Sequence, residues 1–412
     1  MNADPVVIVG MARTPMGSFQ GVLKDATGPE LGTRAITGAL ESAGVAAEDV
    51  DEVILGCVLP HGQRQGPARQ AAIHAGIPKS AGATTINKLC GSGMKATMLS
   101  HDLLLAGTND VMVSGGFESM TNVPYMVEKA RAGMRMGHGR FEDAMFLDGL
   151  EDAYEPGALM GHFAEETARH FQFTREEQDE FAIRSLNRAR TANEDGTFAG
   201  EMVPMTVKTR RGESVVEQDE QPFTANIEKI PSLRPAFAKD GSVTPANSSS
   251  ISDGAAALVL MRRSEAERRG LTPLATIVAH TSHSQEPRWF TTAPVGAMQK
   301  LFEKTGWDKD EVEFYEINEA FAVVPMAAMR EFALPADKVN VHGGACALGH
   351  PVGASGARIV ATLINAMQKN GAKKGVAAIC IEEETGARGQ RQPDARLVGL
   401  DHEVHAVFAR AA

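Results

Sequence analysis

Four cysteines in 412 residues are too few and too scattered for a disulfide framework. Cys57, Cys90, Cys346 and Cys380 include no CxxC pair and no histidine at zinc-ligand spacing. A buried free thiol or a catalytic thiol are the roles that remain. No apolar run approaches the about 18 residues that cross a bilayer, and Met1-Asn2-Ala3-Asp4-Pro5 leads directly into a strand-like Val6-Val7-Ile8-Val9. A cytoplasmic protein without a targeting segment is expected. Positive charge is short as well: 41 Lys and Arg against 52 Asp and Glu give a net charge of −11, which repels polyanions and leaves no basic footprint for nucleic acid. The 41 glycines follow no triplet period, which excludes collagen and points to crowded turns. The apolar share of 43% and charged share of 23% are those of a globular chain, long enough for two or three packed units.

The first 120 or so residues alternate β-branched runs with helical stretches: Val6–Gly10, a helix from Gly28 to Gly44, Val50–Cys57, a helix around Arg69–Ala75, Thr84–Lys88, a helix from Ser92 to Ala106, then Val111–Gly115. That rhythm predicts an α/β layer with mostly buried strands. From Asn122 to Asn247 the composition turns Met-rich, Gly-rich and charged, and this stretch reads as an insertion. Within it Thr174–Glu194 carries a helix signature, with Thr174 as cap, Glu177 three residues on, and Phe181, Leu186 and Ala189 marking one apolar face. The Asp253–Leu260 run reads as a buried strand, and the α/β rhythm resumes at Ala275. A shift of about 265 residues lays Val376–Ile381 on Val111–Gly116 and the helix after Ser355-Gly356 on the helix after Ser92-Gly93. Val312–Ile317 likewise echoes Val50–Leu55. Two similar halves predict a pseudo-twofold site between them.

Several residues carry possible chemistry. Cys90, in Asn87-Lys88-Leu89-Cys90-Gly91-Ser92-Gly93-Met94, falls between a strand and a helix, where helix amides lower a thiol pKa and offer donors to an oxyanion. The bland alternative is a buried structural cysteine in a glycine-lined turn. His350 lies in a glycine-dense loop from Gly343 to Gly356 that opens a helix, so Pro351 and the glycines fix a tight path that presents an imidazole; a core histidine is the competing reading. A dinucleotide loop is disfavoured, because the glycine spacing is not GxGxxG. Asn318 ends another strand, either anchoring a water or oxyanion or merely capping a helix. Cys380 ends the last clear strand and offers a second thiol for proton exchange with a carbon acid.

Together the segments Ala12-Arg13-Thr14-Pro15, NKLCGSGMKA at 87–96, GGFESM at 115–120, Asp253-Gly254-Ala255-Ala256, INEAFA at 317–322 and GGACALGHPVGASGAR at 343–358 resemble those of thiolases, in the right order from about residue 5 to residue 381. The resemblance implies an α/β thiolase fold: two similar βαβαβαββ halves in a five-layered α-β-α-β-α arrangement with an inserted loop domain. Residues 1–121 and 249–272 form the first half, 122–248 the loop domain covering coenzyme A, 273–381 the second half, and 382–412 an atypical tail. By the same resemblance Cys90 takes the acyl group, His350 activates that thiol, Cys380 moves the proton of the second acetyl-CoA, and Asn318 holds the water of an oxyanion hole. Ser249, Met160, Gly161 and Phe321 are assigned to coenzyme A and the acyl pocket. The implied activity is that of an acetyl-CoA C-acetyltransferase acting on acetoacetyl-CoA or another short 3-ketoacyl-CoA. No metal or redox cofactor is implied, coenzyme A being substrate and product. The implied partners are acyl-CoA, CoA and copies of the chain in a homotetramer, a dimer of dimers, with neither nucleic acid nor membrane.

Two departures from the family pattern stand out. Trp289-Phe290-Thr291-Thr292-Ala293-Pro294 brings bulky aromatic residues that suggest a narrow acyl pocket without identifying the substrate. After Ile381 the family continues with a glycine run whose first amide joins Cys90 and His350 in an oxyanion hole; here Glu382-Glu383-Glu384 follow, with no further likeness to Ala412 and no recognisable final core strand. A repeated GGA codon read one base out of phase produces such a run. Glutamate at a backbone position that requires positive φ costs about 1–2 kcal/mol, so a catalytically impaired acyl-CoA-binding protein is the alternative expectation.

Overall fold

A computed structural model describes residues 4–210 and 212–381 and the backbone of residues 405–411. The chain opens with β1 (Val6–Arg13), β2 (Gly17–Ser18), α1 (Gly28–Ala43), β3 (Glu52–Gly56), α2 (Pro67–His74), β4 (Gly82–Ile86), α3 (Ser92–Leu105) and β5 (Val111–Ser119). There follow β6 (Tyr125–Met126), β7 (Glu142–Asp143), α4 (Ala144–Gly149), α5 (Met160–Phe171), α6 (Arg175–Glu194), β8 (Met205–Thr209), β9 (Gly212–Val216) and α7 (Gln221–Thr224). The last part comprises β10 (Ser252–Arg262), α8 (Arg263–Arg268), β11 (Ala275–Ser282), α9 (Ala293–Thr305), β12 (Phe314–Ile317), α10 (Val323–Phe332), α11 (Ala345–Leu348), α12 (Val352–Asn370), β13 (Lys374–Ile379) and β14 (His405–Ala411).

Local chemistry explains the helix limits. Thr27 and Glu30 form a reciprocal capping box at the start of α1, Pro29 occupies its first turn, and Gly44 ends it at φ 64°, a left-handed turn that costs glycine nothing. The apolar side chains of α1, Leu31, Ala35, Ile36 and Ala39, are wholly buried on one face. Thr174 and Glu177 cap α6 in the same way, as their spacing predicts.

The long strands run in the order β12-β13-β14-β11-β1-β10-β5-β3-β4. The pairing repeats itself. β5 is parallel to β3 and antiparallel to β10, which is antiparallel to β1; β13 is parallel to β12 and antiparallel to β14, which is antiparallel to β11. The two sets meet edge to edge where β1 and β11 pair over Val7–Thr276 and Ile8–Ala275. The expectation that the tail contributes no core strand is corrected here: His405–Ala411 lies between β11 and β13, the counterpart of β10. Polar and charged residues scattered through 382–404 hid a strand whose partners lie more than 25 residues back along the chain. Glu382 itself and the rest of residues 382–404 lie outside the described residues.

Three stacked cores make five layers. Ala255, Ala257, Val259 and Met261 of β10 face α1 and α2, whereas Leu258 and Leu260 face the opposite way, onto α3 and α12. The inner core also takes Ile277 from β11 and Ala377 and Ile379 from β13, so α3 and α12 are sandwiched between the two sets of strands. On the far side α9 and α10 cover β12 and β13. A strand buried on both faces favours apolar residues on both, which is why β10 reads as a continuous apolar run from Ala255 to Met261. Among the described residues no helix is long and apolar enough to cross a membrane.

Buried charges tie the intervening segment to this body. Arg13, fully buried at the end of β1, donates from Nε to Glu201 at 2.5 Å and from Nη1 to Asp219 at 2.7 Å. Asp253 on β10 accepts from the Thr121 amide at 2.9 Å.

Candidate active site

The two sandwiched helices bring their N-termini together. Gly93 on α3 sits so close to α12 that a Cβ there would lie 2.8 Å from the Ala357 amide and 3.0 Å from the Gly353 carbonyl. The same crowding excludes side chains at Gly56, whose Cβ would meet Ser92 at 2.5 Å and the Gly353 carbonyl at 2.8 Å. Cys90 precedes α3 by two residues and His350 precedes α12 by two, so this packing delivers the thiol and the imidazole to one point.

Cys90 is held in a strained turn. Leu89 has φ 46°, a left-handed conformation unfavourable for leucine, and the turn is locked because Asn87 Oδ1 accepts from the Leu89 amide at 2.9 Å. Ser92 Oγ accepts from the Lys88 amide at 2.8 Å and donates to the Leu89 carbonyl at 2.6 Å. The half-buried thiol lies at the N-terminus of α3, where the helix dipole favours a thiolate.

His350 Nε2 lies 3.1 Å from Cys90 Sγ. On the other side of the ring Nδ1 lies 2.6 Å from Ser355 Oγ, and that hydroxyl donates its only proton to the Pro351 carbonyl at 2.9 Å. Ser355 therefore accepts from His350, the proton sits on Nδ1, and Nε2 keeps a lone pair facing the thiol. Burial, with the nearby Arg358 guanidinium, pushes the imidazole down to about 3. The resting imidazole is thus neutral.

Asn318 and Cys380 stand side by side at the ends of parallel strands. Ile317 is in register with Ala378, and the Asn318 amide donates to the Ala378 carbonyl at 2.9 Å. Both residues are buried. Among the described residues neither end of the Asn318 carboxamide has a hydrogen-bond partner, an arrangement that costs about 1–3 kcal/mol per group and calls for a water or substrate. One loop connects this edge to the imidazole: the Ser249 amide donates to the Ala320 carbonyl at 2.9 Å, and the His350 amide donates to the Ser250 carbonyl at 3.2 Å.

The remaining assigned residues collect around one ring. Phe237 packs edge to face with Phe321 at 6.1 Å and with His162 at 6.0 Å, and it lies directly over Gly161, the second residue of α5. Met160 is half-buried against the same cluster, and Ser249 is half-buried beside the Phe321 loop. The rings of Trp289 and Phe290, expected to narrow an acyl pocket, pack against α5: Trp289 with His170 at 5.1 Å, Phe290 with Phe163 at 6.4 Å.

Ser355, Phe237, Glu118 and Glu319 were not singled out from the sequence. Glu118, fully buried, accepts from the amides of Val58 at 2.8 Å, Leu59 at 3.1 Å and Gly353 at 3.0 Å, pinning one half's loop to the first turn of α12. Burial raises its carboxyl to about 7 against those donors. Glu319 accepts from Ser185 at 2.7 Å, Asn340 at 2.8 Å and the Cys346 amide at 3.1 Å, fixing the loop that leads to His350. A carboxylate inside an otherwise apolar strand, as in Gly115-Gly116-Phe117-Glu118, is the signal that marks such a clamp. Cys57 and Cys346 are structural, their thiols pushed up by burial and by Glu118 and Glu319 respectively.

Residues 6–264 match the family described as Thiolase, N-terminal domain, and residues 271–389 match Thiolase, C-terminal domain. The chain belongs to the thiolase family. The second match runs past Ile381 through the glutamate run, so the expectation that family likeness ends at Ile381 is corrected. The chain is 47% identical to the acetyl-CoA acetyltransferase of Rhizobium meliloti over 382 residues, 92% of this chain and 97% of that one. It is 45% identical to the cytosolic acetyl-CoA acetyltransferase of Mus musculus over 386 residues, 92% of this chain and 97% of that one. The crystal structure of the Bacillus anthracis acetyl-CoA acetyltransferase covers 99% of both chains with a TM-score of 0.92 at 38% identity. The protein is accordingly an enzyme, an acyltransferase of the thiolase class.

Proposed function

We propose that the chain is an acetyl-CoA C-acetyltransferase that cleaves and forms acetoacetyl-CoA, or another short 3-ketoacyl-CoA, through an acyl-Cys90 intermediate. The observation that carries this reading is the 3.1 Å contact between Cys90 Sγ and the unprotonated Nε2 of His350 at a helix N-terminus. In the cleavage direction the thiol proton passes to Nε2 while sulfur attacks the 3-keto carbon. Charge on the ketone oxygen is met by the His350 N–H just formed and by a water on Asn318. The C2–C3 bond then breaks, its electron pair goes to C2, and the Cys380 thiol protonates C2 to give acetyl-CoA. Coenzyme A thiol next attacks acyl-Cys90, losing its proton to the Cys380 thiolate, and the shortened acyl-CoA leaves as Cys90 regains its proton from His350. The Cys90 amide, at the N-terminus of α3, is a donor for the second oxyanion.

The ring cluster of Phe237 and Phe321, with Ser249, Met160 and Gly161, is where the pantetheine arm and acyl group are proposed to lie. The segment between β5 and β10 is proposed to cover coenzyme A, which serves as substrate and product without a further cofactor or metal. Tyr125, Met136 and Phe141, exposed by 65%, 98% and 78%, lie on one arm and suit burial against further copies in a homotetramer. Free cysteines and the cytosolic mouse relative support a cytoplasmic location.

Thiolysis of acetoacetyl-CoA by the purified chain tests the reading, with Cys90→Ala as control. Cys90-dependent loss of the enolate absorbance is expected. A folded protein that binds CoA esters without turnover would overturn it in favour of an impaired acyl-CoA binder, with Glu382-Glu383-Glu384 the first residues to replace by glycine.

A further inference from the structure

A second cluster of ligating side chains lies on the helix that carries the nucleophile, at its far end. His101 and Asp102 belong to the last turns of α3, from the first half; His280 belongs to β11, from the second. Asp102 Oδ1 is 2.9 Å from His101 Nδ1 and 2.9 Å from His280 Nε2. The two imidazoles stand perpendicular with centroids 5.0 Å apart. One donor atom from each of the three residues lies within 4.8 Å of the others. The side chains of His101 and His280 are only 10% and 15% exposed, and that of Asp102 is 57% exposed, so two inward nitrogens meet a carboxylate that opens to solvent.

We propose that His101, Asp102 and His280 bind one divalent transition-metal ion of the zinc class. Two imidazoles and one carboxylate are a donor set suited to such ions, and three protein ligands leave a fourth position for water on the open side. Metal–ligand bonds of about 2.0–2.1 Å separate tetrahedral donors by roughly 3.4 Å. Both 2.9 Å contacts need open by only about half an ångström to admit the ion. Lys304, whose Nζ donates to the His280 carbonyl at 3.1 Å, is the cation that opposes binding and moderates the affinity.

The ion would not take part in acyl transfer. Asp102 is ten residues along α3 from Ser92, about 15 Å at the helical rise, and the helix points away from Cys90. Its effect is a clip: the edge-to-edge joint of β1 and β11 spans only Val7–Thr276 and Ile8–Ala275, and a metal bridging α3 to β11 adds a tie between the halves.

The test uses the full chain, stripped with a chelator and titrated with Zn2+ by calorimetry and with Co2+ by absorption spectroscopy. One ion per chain is expected, with four-coordinate d–d bands for Co2+ and without the near-ultraviolet thiolate band that an ion on Cys90 would produce. Asp102→Asn and His280→Gln should each weaken binding by roughly tenfold or more. Zn2+ should raise the melting temperature of the unaltered chain and not that of either variant. Because Asp102 is largely exposed, its variant keeps the fold if the less exposed His280 variant does not. Absence of stoichiometric binding, a thiolate band, or unaltered affinity in Asp102→Asn would each overturn the proposal, leaving the trio as a hydrogen-bonded clasp.

Discussion

Replacing Ser355 by alanine tests the reasoning about how the imidazole is aimed. The hydroxyl acts only through the imidazole: it accepts from His350 Nδ1 at 2.6 Å and donates to the Pro351 carbonyl at 2.9 Å. Alanine fills the same site without one oxygen, so the change leaves a buried N–H unpaired in a residue that is 6% exposed. Such an orphaned donor costs about 1–3 kcal/mol. Part of that cost falls on stability. The rest appears in the reaction, because the ring no longer has a reason to keep its proton on Nδ1 and its lone pair toward Cys90. At about 1.36 kcal/mol per factor of ten, the whole cost would slow the acylation of Cys90 by about 5-fold to 150-fold, and the part that reaches the reaction sets a slowing of more than about twofold within that ceiling. Single-turnover mixing with acetyl-CoA, with the acetyl-enzyme counted by intact-mass spectrometry, reads this step apart from product release, and urea unfolding measures the stability share. A Ser355→Ala protein of unchanged stability that acetylates within twofold of the unaltered chain would refute the assigned tautomer and with it the role of Nε2.

Two other substitutions follow from single contacts. In Gly161→Ala the new methyl falls on the Phe237 ring, which must leave its edge contact with Phe321; KM for CoA esters should rise several-fold while alkylation of Cys90 by iodoacetamide proceeds at the original rate, and an unaltered KM would remove Phe237 from the proposed binding cluster. For His350 the prediction concerns acid. Its imidazole is held at about 3 in the fold, against about 6.5 in the unfolded chain, so between those values the unfolded state binds a proton that the native state does not. Stability from this residue is present above pH 6.5 and is lost as pH falls toward 3, at up to about 1.4 kcal/mol per pH unit. His350→Asn should flatten that limb in urea unfolding curves between pH 7 and pH 4, whereas parallel curves would show that the buried ring is not what titrates.

Period and punctuation in the chain sufficed for much of the architecture. The capping pairs Thr27–Glu30 and Thr174–Glu177 are local events, readable wherever a short polar side chain and a glutamate stand three apart before an apolar face. The apolar runs of β10, of β5 and of its match β13 announced buried strands, and the glycine-bounded turns marked Cys90 and His350. These features depend on neighbours within a few residues, so the order of amino acids carries them directly. β14 depends on none: its backbone hydrogen bonds go to β11 and β13, and the pairing, not a strong local pattern, makes it a strand.

Contacts between residues far apart in sequence were decided only by the tertiary structure. The 3.1 Å approach of Cys90 and His350 joins positions 260 residues apart, and it exists because glycines at 93 and 356 allow two helices to touch backbone to backbone. The Ser355 hydroxyl selects the tautomer only because its own proton is taken by Pro351. Glu118 looks like one more polar residue in a motif until the fold shows three amides from two halves converging on it. His101, Asp102 and His280 lie on a helix and a strand that no sequence spacing connects. In each case the deciding term is desolvation: a polar group taken out of water must find its partner wherever the packing has put one, and only the packed molecule records where that is.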